Sequence, residues 1–187
     1  MSTPYEAFKT RAEAVSAEVH RFRTREEALA FILGFLKEVG VSDAPHCGAV
    51  WAAGTFLDGA TKDDLKVQVP GIGFDITQVA AAASKVGVSQ LDWAISGTGT
   101  LVQDASAVEK RLVSTLPAIH VAVLGTERIL ADMGSVLEKL RPEQINYISF
   151  ITGPSRTADI ERVLTIGVHG PERLIIVVVD EFQQVTA

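Results

Sequence analysis

The stretch Gly153-Pro154-Ser155-Arg156-Thr157-Ala158-Asp159 gathers a chain break, two hydroxyls, a guanidinium and a carboxylate. The residues before it, Ile145 to Ile151, read as a buried strand. Those after it, Ala158 to Ile166, read as a helix with Ile160, Val163 and Leu164 turned inward. Gly153 and Pro154 then make a sharp exit, and Ser155 or Thr157 can cap the helix. The first turn of a helix offers unpaired N–H groups and partial positive charge, which suits an anion. Arg156 adds a planar fork that grips a carboxylate or phosphate with two bonds. One reading is therefore an anion pocket. The other is a capped helix with Arg156 paired to a nearby Asp or Glu. The residues alone leave both open.

Gly167-Val168-His169-Gly170-Pro171 follows the same segment. Flanking glycines allow close backbone approach, and an imidazole there can act as acid, base or ligand, or simply bond a neighbouring loop. Ser96-Gly97-Thr98-Gly99-Thr100 is a hydroxyl-rich turn between two short apolar runs. Thr98, Gly99 and Thr100 can present N–H and O–H groups to an anion, or can form a plain hairpin turn. The Gly-Lys-Ser/Thr ending of a P-loop and the Gly-x-Ser-x-Gly elbow of serine hydrolases are both absent. His120, at the start of an apolar run, reads as a structural histidine. No His-x-x-x-His or Cys-x-x-Cys pair occurs, so no metal site is expected.

The elements that must hold these residues follow from periodicity. Phe8, Ala12, Val15, Val19 and Phe22 recur at helical spacing, which predicts one helix reaching Phe22. A second helix starts at Thr24, where Glu27 completes a capping box, and stops at Gly40. Strands are expected at Cys47–Ala53, Leu65–Val69, Leu91–Ser96, Thr100–Gln103, Ile119–Leu124, Ile145–Ile151 and Leu174–Val179. Helices are expected at Ile76–Val86, Ala107–Leu116, Glu127–Leu140 and Ala158–Ile166. Alternation of this kind predicts an α/β protein, a mostly parallel sheet flanked by helices after an N-terminal helical segment. Such sheets bind ligands at the carboxyl ends of their strands. The turns at Thr98 and Arg156 are accordingly expected to face one cleft.

Composition narrows the function. The chain has 187 residues, 47% apolar and 21% charged, with a net charge of −6. That charge, without a basic stripe, argues against nucleic acid as a partner. The single cysteine, Cys47, cannot hold an iron–sulfur cluster or form an internal disulfide. Leu174–Val179 is too short to span a bilayer, and the opening residues carry no signal-like apolar core. The expected location is cytoplasmic.

The string from Thr152 to Glu161, with Gly167 to Pro171, resembles the signature of the lactate-utilisation protein C family, also called LUD-domain proteins. Thr98-Gly99-Thr100-Leu101-Val102 resembles the family's central turn, and Leu116-Pro117 with His120 the approach to its next strand. The resemblance runs from about Trp93 to Val179. It implies a NagB/RpiA/CoA-transferase-like fold and one LUD-type domain over residues 1–187, helical to residue 40 and α/β from 41. It also implies an accessory role in oxidising L-lactate to pyruvate beside partner proteins that carry iron–sulfur clusters. On that reading the chain binds no cofactor itself and is not catalytic alone. A small carboxylate or phosphate would meet Thr98, Gly99, Thr100, Gly153, Ser155, Arg156, Thr157, Asp159 and His169. The alternative is a stand-alone sugar-phosphate isomerase, CoA-transferase or folate-ligase type enzyme that uses the same loops for a phosphate or nucleotide. Two positions depart from the family pattern: Gly97 where an acidic residue is common, and Ala118 where a second proline is. The first removes the carboxylate a CoA-transferase mechanism would need.

Overall fold

The computed structural model describes residues 3–158, 164–167 and 169–182. Helix α1 (Pro4–Ala14) starts at a capping box in which Thr3 and Glu6 satisfy each other's backbone N–H. It ends sooner than the periodicity predicts. Ser16 takes a left-handed φ of 70°, the Ala17 N–H returns to the Ala12 carbonyl, and β1 (Glu18–Phe22) follows. The N-terminal forty residues thus contribute a strand to the main sheet. Helix α2 (Arg25–Glu38) has the expected Thr24–Glu27 capping box. Its Gly34 is exposed, with open space where a Cβ would stand. Gly34→Ala is therefore expected to raise stability by about 0.5–1 kcal/mol, read from the urea midpoint.

The chain continues through β2 (Gly48–Trp51), α3 (Lys62–Gln68), β3 (Ile72–Gly73), α4 (Gln78–Ala82) and β4 (Ser84–Gln90). The strand expected at Leu65–Val69 is a helix instead. Thr61 caps it by accepting from the Asp64 N–H, and Leu65 and Val69, four apart, both turn into the core. Next come β5 (Trp93–Ile95), β6 (Thr100–Asp104), α5 (Val108–Thr115), β7 (Ile119–Gly125), β8 (Ile129–Leu130) and α6 (Met133–Leu140). The helix expected from Glu127 begins only at Met133, where Asp132 accepts from the Ser135 N–H. The last elements are β9 (Ile148–Ile151), β10 (Arg156–Ala158), β11 (Leu164–Ile166) and β12 (Arg173–Val179). Of the helix expected at Ala158–Ile166, the described residues Ala158 and Leu164–Ile166 are strand instead. β10 and β11 pair as antiparallel strands, Arg156 opposite Ile166, and residues 159–163 lie outside the described ones.

Six parallel strands in the order β1-β12-β7-β4-β2-β3 form the main sheet, as the α/β reading expected. One face packs on α2 and α3 through Ile32, Leu36, Val69, Val86, Val121 and Val177. The alternate residues Ala122, Leu124, Leu174, Ile176 and Val178 meet Phe8 and Ala12 of α1 and Leu101 of β6. β6 belongs to a second sheet, ordered β8-β5-β6-β9, whose outer face is closed by Val136 and Leu140 of α6. The strand expected at Ile145–Ile151 therefore joins this second sheet, antiparallel to β6, rather than the main one.

Candidate functional site

The two turns singled out by sequence are brought together at the last turn of α1. Gly99 closes the β5–β6 turn with φ 69°, and a Cβ there would overlap the backbone of Arg11 and Ala12. Gly153 leaves β9 with φ 73°, and its missing Cβ makes room for the Val15 carbonyl. Only glycine meets both demands, a left-handed φ and contact with a helix end. Between the turns runs a row of hydroxyls: Thr98 Oγ1 lies 2.7 Å from Thr100 Oγ1, which lies 2.8 Å from Thr152 Oγ1. Thr100 is buried, while Thr98 and Thr152 are exposed at either end.

Arg156 has a different setting from either sequence reading. It lies on a strand, not at the start of a helix. Its Nη2 donates to the Val15 carbonyl at 2.6 Å and to Ser16 Oγ at 2.8 Å. The guanidinium thus satisfies a carbonyl at the C-terminal end of α1, where the helix dipole favours a cation. Arg156→Ala removes both bonds and is expected to cost about 1–2 kcal/mol. A shift in the urea midpoint measures it.

Ser155, Gly167, His169 and Gly170 form the second part of the site. The Ser155 N–H bonds the Pro171 carbonyl, and the Gly167 N–H bonds the Ser155 carbonyl. A cavity of about 400 Å³ lies here, lined by Thr115, Leu116, Ala118, Gly167, His169, Gly170 and Glu172. His169 is exposed at its rim. Thr115–Ala118 leads into β7 and Gly170–Glu172 into β12, so the cavity opens at the amino ends of the parallel strands. The loop from Gly167 to Pro171 thus emerges at the opposite end of the main sheet from the carboxyl-end placement expected of it. Of the clefts at the carboxyl ends, one carries both Asp58 and Lys62, and another carries Glu127, Asp180 and Glu181, which disfavour an anion. Thr157 pairs with Thr165 in the β10–β11 ladder, and Asp159 lies outside the described residues.

Sequence reasoning read His120 as structural but missed its partner. His120 is 1% exposed, and its Nε2 lies 2.8 Å from the Oγ of Ser89, itself fully buried. Burial lowers the imidazole pKa to about 4, so it is neutral at pH 7. Ser89 lies between the helix expected at Ile76–Val86 and the strand expected from Leu91, so the sequence reading placed it on neither, whereas the structure puts it on β4. Its pairing with His120 is visible only once β4 lies beside β7. Among the described residues no group of three or more His, Cys, Asp or Glu could hold a metal ion. Nor, among them, is any helix long and apolar enough to cross a membrane.

A six-stranded parallel sheet flanked by helices, with a small second sheet against one face, defines an α/β protein. The chain belongs to the LUD domain family, which matches residues 5–179. It is 31% identical over 123 residues to a lactate utilization protein C of Oceanobacillus iheyensis, covering 63% of this chain and 52% of that protein. A lactate utilization protein C of Macrococcus caseolyticus is 36% identical over 115 residues, 58% of this chain and 49% of that protein. The match thus spans about half the length of these relatives. A DUF162 family protein from Deinococcus radiodurans shares the fold, with a TM-score of 0.64 at 19% identity, covering 96% of this chain and 99% of that one.

Proposed function

We propose that this chain is an accessory component of a lactate-utilisation system. On this reading it binds a small carboxylate, and iron–sulfur partner proteins carry out the oxidation of L-lactate to pyruvate. The observation that carries the reading is the likeness to proteins named lactate utilization protein C. The geometry supports it in a second way. The signature loop is folded back on itself around Ser155, next to the His169 cavity. It also meets the Thr98–Thr100–Thr152 hydroxyl row at the end of α1. Three hydroxyls and a guanidinium suit a 2-hydroxy acid, whose carboxylate and hydroxyl both need partners. The two contacts of Arg156 Nη2 with α1 do not exhaust a group that carries five donors.

The division of labour follows from chemistry. A two-electron oxidation needs an acceptor, and a chain with one cysteine cannot supply a cluster. The purified chain alone is therefore expected to show no lactate-dependent dye reduction, and to support it when mixed with its iron–sulfur partners. Dye reduction by the isolated, cofactor-free chain overturns the accessory reading. Titration calorimetry with L-lactate, acetate and inorganic phosphate tests the ligand class. Tighter binding of phosphate than of either carboxylate would instead favour the stand-alone isomerase or ligase reading.

A further inference from the structure

The layer between the two sheets is apolar except at a few side chains. Ala122, Leu124, Leu174 and Ile176 of the main sheet meet Leu101, Leu91 and Ala94 of the second-sheet side. Strand alternation puts His120 on the same face as Ala122, and Gln103 on the same face as Leu101. Both are buried, His120 at 1% and Gln103 at 0% exposure. Gln103 Nε2 donates to the carbonyl of Gln90 at 3.0 Å, one residue along β4 from the Ser89 that bonds His120. Each side chain thus has one polar atom paired. The other one on each, His120 Nδ1 and Gln103 Oε1, is buried without a protein partner.

A buried polar atom left unpaired forfeits its full hydration, so such atoms are almost always satisfied by protein or by ordered water. We infer that His120 Nδ1 and Gln103 Oε1 mark an interior hydration site, with ordered water held between the two sheets. The chemistry selects the occupant. Gln103 Oε1 only accepts, so its partner must donate. His120 Nδ1 donates if the Ser89 hydroxyl gives its proton to Nε2, and accepts if Nε2 carries the proton. Water serves every one of these cases, since it can donate to Oε1 and either donate to or accept from Nδ1. An apolar occupant leaves both atoms unpaired, and an ion would lack a countercharge among the Leu, Ile and Ala side chains of this layer. Occupied, the site hydrogen-bonds His120 through both ring nitrogens.

The test uses the whole chain and water itself as the probe. A high-resolution crystal structure is expected to show a solvent peak about 2.7–3.2 Å from His120 Nδ1 and another partner of that kind at Gln103 Oε1. Oxygen-17 relaxation dispersion in solution is expected to report long-residence water, with reduced amplitude in Gln103→Met, which keeps the volume and removes Oε1. Dry density at both atoms, or a dispersion amplitude unchanged in Gln103→Met, overturns the inference. If Gln103→Met does not fold, the crystal structure of the parent chain decides alone.

Discussion

Lowering the pH from 7 to 4 is expected to cost the fold about 3 kcal/mol through His120 alone. The imidazole sits on β7 at 1% exposure, and burial lowers its pKa from 6.5 to about 4. The unfolded chain takes up the proton first, near pH 6.5. Between about 6.5 and 4 the unfolded state binds more protons than the native one, so stability rises with pH across that window. The contribution is complete above 6.5, falls as the pH drops, and levels off below 4. Carboxylates titrate nearby and must be separated from it. Burial would raise Asp180, but hydrogen bonds from Thr126 and Arg21 outweigh it and hold the carboxyl below its ordinary value, so it too loses stability in acid. Asp92 has the opposite sign, because burial raises its pKa. A comparison with His120→Gln, which does not titrate, removes these shared terms. Urea midpoints at several pH values between 7 and 4 should fall less steeply for the variant. Parallel curves would show that His120 does not contribute.

Gly99→Ala is expected to destabilise the protein by about 3 kcal/mol. A left-handed residue with a Cβ costs about 1–2 kcal/mol in its own backbone. The added methyl would also overlap the Arg11 and Ala12 backbone, which belongs to a helix and cannot swing aside as a side chain would. The helix must shift, and with it Phe8 and Ala12, both fully buried against the main sheet. Displacing such contacts adds about 1–3 kcal/mol. The urea midpoint reads the total. Amide exchange in α1 tells where it falls, since faster exchange should concentrate there and in the Thr98–Thr100 turn. A loss no larger than the about 1–2 kcal/mol of the left-handed backbone itself, or exchange unchanged in α1, would show that the turn and the helix are not coupled. Because Arg156 and Gly153 meet the same helix end, the substitution should also weaken any ligand binding at the signature loop.

Some of this protein is settled by short stretches of its chain. Leu174–Val179 and Ile119–Leu124 read directly as buried strands, because every residue but His120 is apolar and most are β-branched or leucine. Thr24 with Glu27 starts a helix through bonds made within one turn. The Thr98–Gly99 turn joins two short strands as read. In each case the deciding interaction lies within a few residues. Other stretches carry patterns that fit two structures, and distant partners choose between them. Val19 and Phe22 fit a helix face, but β1 forms because Glu18–Phe22 finds hydrogen-bond partners at Ile175–Val179. Leu65 and Val69 fit a strand, yet their spacing of four serves a helix once both must turn into the same core. Arg156–Ala158 fits a helix start and is a strand because Leu164–Ile166 pairs with it. The site follows the same division. Its residue types are visible in the sequence, but whether Arg156 meets a carboxylate or the end of α1 depends on contacts 140 residues apart. The pairing of Ser89 with His120 likewise depends on β4 lying beside β7. Periodicity records which side of an element is apolar; the partner that side meets, and the end of the sheet at which a loop emerges, are set only when the whole chain packs.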